Sequence, residues 1–126
     1  MNYSELPNKS AFTCGRGIFI KVNERQYFNP AGMTLRTFPN PNVECKLKIE
    51  EPIAFFAVQP VFKSRRPLKQ FSRLVKYAYF IIDGVDGVQQ KLDDRFALNL
   101  ETFDIVDMWG LTMVRPVSIQ TFREFN

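Results

Sequence analysis

The chain of 126 residues contains no histidine. That excludes Ser-His-Asp and Cys-His catalysis, histidine-ligated zinc or haem, and any histidine proton shuttle. Cysteine is nearly absent too. Cys14 and Cys45 are the only two, too few for a zinc site built from cysteine thiolates or for a disulfide scaffold. One bridge between them is the most the composition allows, and reduced thiols in an intracellular protein are the simpler expectation. Long apolar runs are missing. The longest, Ile53–Val58 and Tyr77–Ile82, hold six residues each, where a membrane span needs about twenty. The first ten residues, MNYSELPNKS, are polar and show no secretory leader. These absences predict a protein that is intracellular, soluble or peripheral to a membrane, and not secreted. No internal repeat and no low-complexity tract stands out.

Other chemistry is present only in fragments. Gly15 and Gly17 in CGRG lack the spacing, and the helix that should follow, of a phosphate-binding loop. Glu44-Cys45-Lys46 has the acid-x-Lys form of some metal nucleases, but only Glu5 and Glu24 precede it as partners. Alternating charges on a solvated strand face explain it better. Asp83-Gly-Val-Asp-Gly87 with Asp93-Asp94 departs from calcium-loop spacing and reads as a turn. Cys14 lies near Arg16 and Arg25 but has no base beside it in sequence. The expectation is a non-enzymatic protein without metal or cofactor.

What the chain does have is aromatic residues and β patterning. Thirteen Phe and 45% hydrophobic residues suit strands around a sizeable core. Ile18, Ile20 and Val22 share one face of an extended segment, and Asn23-Glu24 can turn it into a hairpin with Gln26–Phe28. Met33–Phe38 alternates, and the two prolines of PNPN at 39–42 end it. Val43–Ile49 alternates strictly, Val43, Cys45, Leu47 and Ile49 against Glu44, Lys46 and Lys48. Ile53–Val58, Leu74–Ile82, Val88–Leu92, Phe96–Leu100, Leu111–Val117 and Ser118–Phe125 read as further extended pieces. Pro67–Arg73 has room for one or two helical turns, and Glu101–Trp109 shows weak helical spacing. The pattern predicts a mainly β, single-domain sandwich or barrel of about seven to nine short strands with one or two short helices, over residues 11–126. Residues 1–10 read as a flexible arm.

Charge is unevenly placed. Residues 52–82 carry six basic side chains and no acid, whereas residues 83–126 carry four basic and eight acidic. The cations are Lys63, Arg65, Arg66, Lys69, Arg73 and Lys76, with Phe62, Phe71, Tyr77 and Tyr79 among them. Basic residues interleaved with aromatic rings neutralise phosphates while bases stack. Candidate binding residues are therefore Lys63, Arg65, Arg66, Lys69, Arg73, Lys76, Tyr77 and Tyr79, with RNA or single-stranded DNA as partner. An anionic membrane surface suits the same composition. Two further outcomes compete: internal pairing of the basic segment with the acidic C-terminal third, and self-association into a homo-oligomer through those two segments.

FFAVQPVFKSRRPLKQFSRL, Phe55–Leu74, resembles the segment leading into the first helix of rhabdovirus matrix proteins. The resemblance lies in the Phe-Phe start, Ser64-x-Arg66-Pro67, the basic Lys69, the aromatic Phe71 and Ser72. The histidines and the proline-rich arm of that family are missing here. The resemblance implies a small viral protein that is β-rich and non-enzymatic, self-associates, and uses basic patches on membranes and nucleocapsids.

Overall fold

The computed structural model describes residues 1–49, 56–61 and 67–123. They form thirteen strands in three antiparallel sheets. The expected mainly β class is what the chain adopts, in open sheets rather than a closed barrel. The strands are more numerous and shorter than the sequence suggests, and the helical content among the described residues is limited to short 3-10 turns.

The chain divides into two compact units, one built on Met1–Phe56 and the other on Ala57–Phe122. In the first unit the 3-10 turn Tyr3–Glu5 leads into β1 (Ala11–Thr13), β2 (Phe19–Lys21), β3 (Gln26–Asn29), β4 (Thr34–Thr37) and β5 (Lys46–Ile49). These give a sheet of order β4-β3-β2-β1-β5. The expected flexible arm is packed: Tyr3 and Leu6 are buried. The Tyr3 hydroxyl donates to the carbonyls of Asn23 and Gln26 at 3.0 and 2.8 Å. An aromatic residue and a leucine one turn apart anchor this segment, despite its polar composition.

After β6 (Phe56–Val61), the second unit continues with β7 (Lys69–Gln70), the 3-10 turn Phe71–Arg73, β8 (Tyr79–Ile81), β9 (Gln89–Lys91), β10 (Phe96–Asn99), β11 (Ile105–Asp107) and β12 (Met113–Pro116). Its sheet has the order β11-β10-β9-β8-β12-β7. The last strand, β13 (Ser118–Arg123), pairs with β6. Two sequence expectations fail here. Leu74–Ile82 is a turn before it is a strand, and the weakly helical Glu101–Trp109 contains β11. In both places backbone pairing with a neighbouring strand outweighs local spacing.

The two units repeat one another, a relation the sequence does not advertise. β1 to β5 correspond in order to β8 to β12, and the bridge between Asn2 and Glu44 takes the place of the β7–β12 pairing. The Tyr3 and Phe12 rings meet at 5.4 Å and 69°; Phe71 and Phe80 meet at 5.5 Å and 70°. Asn23 Oδ1 accepts the Arg25 and Gln26 N–H groups, as Asp93 Oδ1 accepts those of Arg95 and Phe96. Lys9 and Tyr77 share a positive φ of 66° and 71°, because the N–H of each must reach the carbonyl of Lys21 or Lys91. Gly17 and Gly87 share another, 90° and 94°. A Cβ on Gly87 would lie 2.7 Å from Asn99 Oδ1, so glycine is required there on two counts.

A buried lysine organises each copy. Lys21 Nζ donates to the carbonyls of Tyr3 and Leu6 at 2.9 and 2.8 Å. Lys91 Nζ donates to those of Phe71 and Leu74 at 3.1 and 2.7 Å. Each ammonium also sits over the ring of the same turn, Tyr3 at 4.9 Å and Phe71 at 4.8 Å. Burying an ammonium is costly unless it is fully bonded. Here it satisfies the carbonyls that end a 3-10 turn, the place where positive charge is favoured.

Candidate nucleic-acid interface

In the second unit, Lys91 fixes the turn that carries the basic residues. Phe71 and Leu74 point inward and are buried, which turns Ser72, Arg73, Val75, Lys76 and Tyr77 outward; all five are exposed or nearly so. β7 places the exposed Lys69 opposite Val114. Lys76 Nζ lies over the Tyr77 ring at 5.1 Å, a contact that holds the ring in place at the surface. Among the described residues, Lys69, Arg73 and Lys76 form no ion pair.

Three acids of the same unit pair with other cations. Arg95 pairs with Asp107 at 3.0 Å, Arg115 with Asp83 at 3.3 Å, and Lys91 reaches Asp94 at 3.8 Å. Lys76 acts on Asp93 only as a nearby positive charge. The Asp93 carboxyl is held below its ordinary range, first by the Arg95 and Phe96 backbone N–H groups and then by Lys76.

One residue that sequence reasoning passed over joins this surface. Trp109, the single tryptophan, is 70% exposed. It stands on a turn closed by the Thr112 N–H to the Trp109 carbonyl. That turn is clasped to the basic one by the Ser72 N–H donating to the Gly110 carbonyl at 2.9 Å, and by Phe71 N–H to Thr112. Trp109 and Arg73 thus flank one backbone hydrogen bond. Leu111, Met113, Leu68 and Val75 are exposed as well. A lone Trp beside a glycine in a stretch without clear periodicity was the available signal.

Of the sequence candidates, Lys69, Arg73, Lys76 and Tyr77 lie in these two clasped segments. Tyr79 is half-buried in β8; burial pushes its hydroxyl pKa up, and Gln90 bonds it. Lys63, Arg65 and Arg66 lie outside the described residues, as does part of the stretch resembling matrix proteins.

The first unit shows what this scaffold looks like without such a surface. The equivalents of Arg73 and Lys76 are Glu5 and Asn8. Those of Trp109, Leu111 and Met113 are Asn40, Asn42 and Glu44. The backbone bonds that fix this correspondence are Ser4 N–H to Pro41 and Val43 N–H to Asn40, matching Ser72 to Gly110 and Thr112 to Trp109.

Among the described residues no helix is long and apolar enough to cross a membrane, and no group of three or more Cys, Asp or Glu is arranged to hold a metal ion. In comparisons with known proteins, no family model, no curated protein and no solved structure matches the chain.

Proposed function

We propose that the chain binds single-stranded nucleic acid, RNA or DNA, through the exposed basic and aromatic face of its second unit. Lys69, Arg73 and Lys76 neutralise phosphates, and Trp109 and Tyr77 offer rings for stacking. The observation that carries this reading is the contrast between the two copies. One backbone plan presents Glu5, Asn8, Asn40, Asn42 and Glu44 in the first unit and Arg73, Lys76, Trp109, Leu111 and Met113 in the second. The scaffold itself therefore has no need of a basic, apolar face here. Exposed large apolar groups among unpaired cations mark a binding surface.

Trp109, as the chain's one tryptophan, reports directly. Titration with a single-stranded oligonucleotide is expected to quench its fluorescence. If about three cations meet phosphates, affinity falls about 20-fold between 50 and 200 mM salt. An unquenched tryptophan, or affinity indifferent to salt, rules the reading out.

A second reading, a matrix-like protein peripheral to an anionic membrane, draws on the exposed Leu68, Val75, Leu111 and Met113 beside the same cations. It predicts a blue shift of Trp109 with acidic but not neutral vesicles, and no quenching by oligonucleotide.

A further inference from the structure

The first unit holds a pair of side chains that its own repeat does without. β1 and β5 run antiparallel with Thr13 opposite Lys46, so the next step along the ladder sets Cys14 opposite Cys45. Residues opposed in this way have Cα atoms about 4.5–5.5 Å apart, inside the range a disulfide spans. Both thiols are free. Cys14 Sγ donates to the Glu44 carbonyl and Cys45 Sγ to the Val43 carbonyl, each at 3.6 Å. Cys14 is close enough to Cys45 to raise the pKa of its thiol. A cavity of about 430 Å³, lined by Thr13, Cys14, Gly15, Glu44, Cys45 and Lys46, opens onto the pair. In the second unit, where Ile81 faces Arg115, the equivalent pair is Ile82 and Val114. An apolar pair closes that position in the same fold, so packing alone does not call for two thiols.

We propose that Cys14 and Cys45 are a redox-active dithiol that closes to a cross-strand disulfide by exchange with a small disulfide of the glutathione type. Cys14 is half-buried and reaches the cavity, while Cys45 is 2% exposed. Cys14 is therefore the attacking sulfur. Its thiolate displaces one glutathione and forms a mixed disulfide. Cys45 then attacks Cys14 Sγ and releases the second glutathione. The two thiol protons leave with the two glutathione thiols, and the protein loses two electrons to the reagent. Burial, and then the neighbouring Cys14 thiol, push the Cys45 thiol up to about 11. The resolving attack by Cys45 accelerates as pH rises and its thiolate fraction grows.

The test is incubation of the full chain with oxidised glutathione, followed by mass and thiol analysis. The expected product has lost two hydrogens and both thiols together, carries no lasting adduct, and reverts with dithiothreitol. Cys45→Val, which installs the residue of the second unit, is expected to trap one glutathione on Cys14. Cys14→Ile is expected to leave Cys45 unmodified while the chain is folded. Phenylarsine oxide, which requires two adjacent thiols, is expected to block oxidation of the natural chain at one equivalent, a readout that needs no variant. A lasting adduct on Cys14 in the natural chain, a covalent dimer, or two unreacted thiols under conditions that modify Cys45→Val would each overturn the proposal.

Discussion

Lys91 is charged, buried and bonded to the carbonyls of Phe71 and Leu74, so its removal acts on the turn beneath the candidate surface. Lys91→Met keeps the aliphatic stem and leaves buried carbonyls short of a donor. A loss of about 2 kcal/mol is expected in urea unfolding, with oligonucleotide binding weakened through the loosened turn. Tyr77 tests the opposite balance. Its φ of 71° is unfavourable for any side chain with a Cβ. Tyr77→Gly is expected to hold or raise stability, by up to about 1 kcal/mol, while weakening binding. A thermal melt and a fluorescence titration on the same sample check both signs. Lys9 has the same backbone geometry at the equivalent place, so the strain belongs to the scaffold and the ring to the surface.

At the level of elements, the hairpin turns show how far local sequence carries. Asn23 and Asp93 each accept two backbone N–H groups across the β2–β3 and β9–β10 turns. Asp93 does so as a carboxylate, and those bonds favour its charged form. With its pKa lowered in the folded state, the stabilisation is complete above the unfolded value and is lost as pH falls through the folded one. Asp93→Asn, the residue of the first unit, is expected to keep the turn and flatten the decline in urea midpoint as pH falls below the ordinary aspartate range of about 4. These turns, the alternation into β5 and the strands β3, β4, β10 and β13 were legible because side-chain period and turn chemistry are local. The 3-10 turn Phe71–Arg73 lies inside Pro67–Arg73, where the sequence left room for a helical turn, but its place within that stretch was not legible, nor were the two-residue β7 and the strand β11. They are fixed by partners far along the chain, Thr112 and Gly110 for the first, Val114 and Met113 for the second, Phe96–Leu98 for the third.

For the whole molecule, net charge does not separate the two units. Residues 1–56 carry seven basic and five acidic side chains, and residues 57–122 carry nine and seven. Placement separates them: within 57–122 the acids begin at Asp83, and several are matched by Arg95, Arg115 and Lys91. Converting the second face into the first is the corresponding experiment. The triple variant Arg73→Glu, Lys76→Asn, Trp109→Asn uses only residues already compatible with this backbone. It is expected to keep the circular dichroism spectrum and thermal midpoint of the natural chain and to lose oligonucleotide retention at about 50 mM salt. Undiminished retention would place the binding elsewhere.

Composition and periodicity by themselves determined that this is a mainly β chain without histidine chemistry, that Lys69, Arg73, Lys76 and Tyr77 lie in a basic, aromatic segment, and that Cys14 and Cys45 are its only thiols. These follow from residue types and short-range spacing. Tertiary structure alone decided that the chain is two copies of one plan, that Lys21 and Lys91 are buried pins, that Trp109 joins the basic turn, and that the two thiols face each other. The copies share few identities in line, among them Ser4 with Ser72, Leu6 with Leu74, Lys21 with Lys91 and Asn29 with Asn99. Their likeness resides in backbone hydrogen bonds, and many side chains satisfy the same backbone.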